Sequence, residues 1–548
     1  MKLHEWEVWH TYSTYIETTR LDLASCAERL VELGLADFVL ISSGESYWQT
    51  PEGTGKGISS VELDLVNGGY TFHLQLNELT KHKPQGFALE AFGQAIQFLA
   101  GEQRVLGPEP TLSPPYLRAF LGKIELISGG EEDDKPHALD LYPVVLVYET
   151  GVLILEFRVI GPDHPTELDN FITGAVNLYR FRFDGVQVSP GLSREATRTY
   201  YQSRKRWPIW WRAALLYLQG RHNTAVAERT REQKDVCFTF QMAPLSSTEP
   251  QTLRDIAMTI FHVLAFHSGL PRDGWEFLLK GHRAIPSLGD YWSARPHVHL
   301  VRFEGQADTA QENEIRNQEA FASILWRVPP SAKPARPKAI PKNLRPFEDY
   351  GAYVSSASSL WVWSKQGLQR ERSRMDPNRG NLIYERQLLI EILEYGYMLH
   401  RSLYHQMERL ASSETIAAVR LQILDLRRRM REASHAGEIR DLLSAGWKEM
   451  SLPELRQDIE EELSIRENDR RAADTLRTTR IGWALTTVFG FVAVPALAEQ
   501  VVSPLWRFVG LPIPANYDLQ KIAAVGVSIL IVVPIVGISA LFLVRRPH

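Results

Sequence analysis

Two long uncharged runs near the C-terminal end, Ile481 to Ala498 and Ile522 to Val544, constrain this chain more than any other feature. A helix needs about 20 apolar residues to cross a bilayer, and nothing earlier in the chain is long and uncharged enough to do so. The runs therefore predict a membrane hairpin, in which the stretch FGFVAVPALAEQVVSPLW, Phe489 to Trp506, stops at Glu499 and turns back through prolines. Arg470, Arg471, Arg477 and Arg480 precede the first run, Arg545 and Arg546 follow the second, and the loop between holds only Arg507 and Lys521. Such an asymmetry places both ends on the cytoplasmic side of an inner membrane. The opening MKLHEWEVWHTYSTY has polar and acidic residues where a secretory signal needs an apolar stretch, which agrees.

Outside those runs the chain has the balance of a globular protein. It is 44% hydrophobic and 23% charged, with a net charge of -4 over 548 residues, so no nucleic-acid partner is expected. Its two cysteines, Cys26 and Cys237, lack any ligand-like spacing, which argues against a disulfide frame or a zinc site. Residues 1–327 read as an α+β or mixed α/β regulatory or ligand-sensing region. SVELDLVNGGYTFHLQL is a hairpin about Asn67-Gly68-Gly69, and LYPVVLVYETGVLILEFRVIG is a second about Glu149-Thr150-Gly151 with strands covered on both faces. Helices are expected over Leu21–Leu33, Ala88–Leu99, Asp169–Tyr179, Trp210–Leu218 and Leu253–His267. Residues 328–346 form a proline-rich basic linker, and SSLWVW after it suits a strand.

Residues 347–480 turn helical. Ile383–Leu410 and Glu414–Met430 are expected to pair antiparallel, and a third helix starts at Ser451-Leu-Pro-Glu454, a capping box. No proline or glycine interrupts it before Gly482, so it should run on as a stalk into a first span over residues 481–502. A loop (503–521), a second span (522–544) and a tail (545–548) complete the expected architecture: a mixed α+β cytoplasmic domain, a long helical stalk and two C-terminal transmembrane helices.

The segment RENDRRAADTLRTTRIGWALTTVFGFVAVPALAEQ, with Asn468 on the stalk and Pro495 in the outer half of the span, resembles the CorA-type divalent-cation transporter superfamily. The likeness covers roughly the last 170 residues, from about Ile383 onward. It implies a homo-oligomeric pore in a lipid bilayer, a homopentamer by family habit, with magnesium or another divalent cation as the transported or regulatory ion. The chain departs from the family at the end of the span, where Ala498-Glu499-Gln500 stands in place of Gly-Met-Asn, so magnesium selectivity does not carry over. Thr479, Thr486, Gly490 and Ala493 fall on one small, weakly polar helix face, which suits either pore lining or close helix packing. Glu499 and Gln500 would ring a pore entrance, with Glu499 facing the metal; the plainer reading is that Glu499 marks where the helix leaves the bilayer.

Several motifs outside that region were weighed. EGTGKGISS, Glu52 to Ser60, lacks phosphate-loop spacing and reads as a loop between strands. His297 and His299 share one strand face without a third ligand at recognisable spacing. GGEEDDK, Gly129 to Lys135, reads as a solvated loop. In RTYYQSRKRWPIWWR, Arg204, Arg206, Trp207 and Trp211 combine charge and rings that suit a nucleotide, or equally a packed partner. No familiar catalytic signature appears, so an enzyme is not expected. Three functions follow: a CorA-like cation channel gated by its large N-terminal region, a nucleotide-triggered membrane effector of a bacterial defence system, or a tethered scaffold without a pore.

Overall fold

The computed structural model describes residues 1–16, 21–63, 70–77, 80, 82–106, 114–128, 137–183, 185–203, 251–268, 292–332, 339–345, 347–374, 380–407, 421, 423–425, 428, 437–509 and 517–544. Sixteen strands are assigned among them. They are β1 (Lys2–Tyr15), β2 (Ala36–Ile41), β3 (Glu45–Thr50), β4 (Gly53–Leu63), β5 (Tyr70–Leu76), β6 (Tyr116–Leu121), β7 (Ile124–Ser128) and β8 (His137–Tyr148). The series continues with β9 (Val152–Ile160), β10 (Thr166–Glu167), β11 (Arg182–Phe183), β12 (Gly185–Gln187), β13 (Gln251–Thr252), β14 (Trp292–Phe303), β15 (Tyr350–Val354) and β16 (Ser359–Trp363). The helices are α1 (Leu23–Glu32), α2 (Phe87–Leu106), α3 (Pro190–Ser203), α4 (Leu253–Ser268), α5 (Ala310–Leu325), α6 (Lys365–Arg374), α7 (Gly380–Met407), α8 (Gly437–Glu449), α9 (Leu452–Leu497) and α10 (Tyr517–Val544).

The described chain divides into two compact units, residues 1–410 with 417–459, and residues 411–416 with 460–548. The first is built on a sheet ordered β15-β16-β14-β1-β9-β8-β6-β2-β3-β4-β5. Its pairs are antiparallel except β14 with β16, which run parallel because α5 and β15 intervene between them. Strand alternation sends Val8, Tyr12, Leu155 and Phe157 to one core, shared with α1, α4 and Phe321 of α5. Trp9, Phe38, Trp48, Val144 and Trp361 go to the other, shared with α2, α7 and α8. Helices thus cover both faces, which is why β9 is buried at every residue but its last.

Both expected hairpins are present: Val61 opposes Phe72 across β4 and β5, and β8 meets β9 about Gly151 at φ 89°. The stretch EGTGKGISS, expected as a loop, is instead mostly the start of β4, hydrogen-bonded to β3. Its glycines have a packing reason, because a Cβ at Gly55 would strike the buried Trp48 ring and one at Gly57 the Gln75 carbonyl on β5. The helix expected over Asp169–Tyr179 is broken, with a π-turn at Phe171–Val176 followed by a 3-10 turn. Ser451 sits at φ 55°, a left-handed junction between α8 and α9 rather than the extended conformation of a capping box. Glu414–Met430 falls largely outside the described residues, so the expected antiparallel pair lies there too; α7 packs on α8 instead.

In the second unit, α9 is continuous through Leu497 with Pro495 inside it, and leads into a π-turn over Ala498–Val502. Ala498, Val502 and Ala524 form a small core with Leu497 and Val525. Ile481, Leu485, Phe489 and Val492 of α9 are exposed. The two C-terminal transmembrane helices are corrected here: among the described residues, no helix is long and apolar enough to cross a membrane. Charged residues fill the part of α9 that precedes Ile481.

Candidate functional site

The first unit holds a cleft of about 1010 Å³ whose walls come from six places far apart in sequence: the end of α1, β2, the β3–β4 turn, the start of α2, the β6–β7 turn and the start of α3. Local capping shapes the first wall. Asp22 caps the start of α1 by accepting from the Ser25 amide, and Gly34 at φ 67° ends the helix, with the Gly34 amide donating to Val31 and the Leu35 amide to Leu30. The start of α3 then lies directly on that turn. A Cβ at Gly191 would collide with the Gly34 carbonyl, and Arg194 Nη2 donates to the Leu33 carbonyl at 2.6 Å.

Asp37 is the chemically distinctive group in this cleft. Partial burial raises its carboxyl above the usual aspartate range, and it has no hydrogen-bond or ion-pair partner among the described residues. The cations that share the cleft are already engaged. Lys56 pairs with Glu28 at 2.8 Å, Lys123 with Asp140 at 3.0 Å, and Arg194 with Glu195 at 3.0 Å. Glu32 and Glu125 add further carboxylates, while Phe87 lines the same cleft with 73% of its surface open. An aromatic ring, an acceptor without a partner and nearby cations can hold a small ligand with a flat ring and N–H or O–H donors.

A second polar assembly lies inside the sheet–helix interface. Arg118 of β6 grips Glu391 of α7 through two bonds of 2.6 Å, and Arg158 of β9 grips Glu7 of β1 at 2.7 and 2.8 Å while donating to the Tyr384 hydroxyl. Gln387 Nε2 donates to Glu156 at 2.6 Å. Burial, reinforced by the neighbouring Glu391 carboxylate, raises Glu156 well above the ordinary glutamate range. His299 approaches Gln387, and His297 is hydrogen-bonded to Ser359; burial lowers both, and takes His10 from 6.5 to about 4. Among the described residues, no three His, Cys, Asp or Glu side chains could together hold a metal.

The residues singled out from sequence fall elsewhere. Arg204, Arg206, Trp207 and Trp211 lie outside the described residues, as do Cys237 and Gly129 to Lys135. Thr479 on α9 donates to the Thr475 carbonyl at 2.7 Å, Ala493 is exposed, and Thr486 and Gly490 lie on the same helix. Glu499 and Gln500 are exposed in the π-turn. All six belong to the second unit, whereas the cleft belongs to the first. No protein-family model, curated protein or solved structure matches this chain. Neither Asp37, a lone acid at the start of the apolar run Phe38–Ile41, nor Phe87, which follows a lone glycine, carries a motif that would single it out in the sequence.

Proposed function

We propose that this protein is a ligand-responsive regulator whose sheet unit binds a small nucleoside-type ligand in the cleft beside Asp37. The observation that carries the reading is an unpartnered, partly buried carboxyl in a cleft of about 1010 Å³ that an open aromatic ring also lines. A base stacked on Phe87 would contribute about 1–3 kcal/mol. Its amino group, or a sugar hydroxyl, would donate to Asp37. The reading assigns binding and response, with no reaction on the ligand. It keeps the nucleotide-responsive function expected from sequence but drops the membrane pore, which needs spans the described helices lack.

The test is calorimetric titration of the full chain with a panel of nucleosides and nucleotides, repeated on Asp37→Asn and Phe87→Ala. Saturable binding of a phosphate-free nucleoside to the parent protein, weakened about tenfold or more in each variant, is the expected result. Equal affinity in all three proteins would remove the cleft from consideration.

A further inference from the structure

A separate groove of about 910 Å³ lies at the edge of the first unit, where the start of β1, the end of β14 and α6 meet. Its position follows from backbone packing. Ser364 donates its amide and hydroxyl to the Asp349 carbonyl at 3.0 and 2.8 Å, and Gly367 lies so close to Asp349 that any Cβ there would collide with it. That seating fixes the first turn of α6 and directs Lys365 and, two turns on, Arg372 to the groove. The first amides of α6 are already used, by the carbonyls of Ala307 and Asp308 and by the Ser364 hydroxyl, so any ligand must be held by side chains.

Those side chains are strongly one-signed. His4, Arg302, Lys365 and Arg372 line the groove, and the carboxylate beneath them is Glu5. Glu5, only 9% exposed, receives Arg372 Nη2 at 3.1 Å on both oxygens and has Arg302 Nε at 3.9 Å. It therefore acts as a base plate that orients two guanidinium groups and cancels one of their charges. Lys365 is exposed, and its ammonium has no ion-pair or hydrogen-bond partner among the described residues. Arg302, Lys365 and Arg372 against the Glu5 carboxylate leave a surplus of two positive charges, and Phe303 and Leu368 line the same groove.

From this arrangement we infer that the groove is a binding site for a phosphate-bearing dianion or polyanion, a pyrophosphate or the polyphosphate of a nucleotide. Planar guanidinium forks suit phosphate oxygens, and a compact ammonium beside them supplies the remaining charge. The site is independent of the Asp37 cleft and stands or falls without it.

The experiment is calorimetric titration of the full chain with inorganic pyrophosphate, then with ATP and adenosine, at low and at physiological salt. Pyrophosphate and ATP are expected to bind and adenosine to leave the groove empty, with affinity falling as salt rises. Lys365→Glu should weaken pyrophosphate binding about tenfold or more, Lys365→Arg should retain it, and Asp37→Asn should leave it unchanged. Lys365 is exposed and unpaired, so the unliganded unfolding midpoint of Lys365→Glu should match the parent and exclude a folding defect. Absence of pyrophosphate binding at millimolar concentration, or equal binding by Lys365→Glu, would overturn the assignment. So would ATP binding without pyrophosphate binding, since recognition would then lie in the nucleoside.

Discussion

Glu156 illustrates what a single residue does in this protein. It sits in the middle of β9, fully buried, with Gln387 donating to one oxygen and the Arg118–Glu391 pair beside it. The folded protein holds its proton well above the usual glutamate range, while the unfolded chain releases that proton near pH 4.5. The folded state then binds more protons through this window, so its contribution to stability falls as pH rises from about 4.5 toward the raised folded value. Glu156→Gln keeps the shape and the acceptor for Gln387 but removes the titration. Chemical denaturation should find the variant gaining on the parent as pH increases from 4.5 to 8; a difference independent of pH would show that Glu156 is already ionised in the fold. Little of this was legible from sequence. LILEFRVIG signals a buried strand, but the partners of Glu156 and Arg158 lie 231, 151 and 226 positions away, beyond any local pattern.

At the scale of elements, α7 is held to the sheet by buried ion pairs rather than by apolar contact alone. Removing one partner of the Arg118–Glu391 pair, as in Arg118→Met, leaves an unpaired buried carboxylate and should cost about 3–5 kcal/mol, whereas Arg118→Met with Glu391→Leu should recover most of it. Denaturant unfolding of both variants checks this; a double variant as unstable as the single one would mean that packing, not charge, holds the helix. The junction of α1 and α3 makes a second case. Gly191→Ala must push the first turn of α3 off the Gly34 carbonyl and should lose about 1–3 kcal/mol, with weaker ligand binding in the cleft that this turn walls. An unchanged unfolding midpoint would show that the backbone yields freely there. Helix positions such as Leu23–Glu32 and Leu253–Ser268 were readable because apolar spacing repeats locally. The strand in EGTGKGISS was missed because glycines signal turns, and their reason, Trp48, lies on a neighbouring strand.

Across the whole molecule, the mixed sheet covered on both faces was expected from its apolar strands and intervening helices, while the strand order was not, because β1 pairs with β9 and β14. The uncharged C-terminal runs argued for spans, but among the described residues no helix is long and apolar enough to cross a membrane. The cleft was invisible in sequence because its walls come from six separated segments. Its occupancy is the central claim, and titration of the full chain with a panel of phosphate-free nucleosides, parent against Asp37→Asn, tests it most directly. The account predicts saturable binding that weakens about tenfold or more in the variant while the unliganded unfolding midpoint stays unchanged. No binding across the panel, or equal affinity in the two proteins, would contradict it.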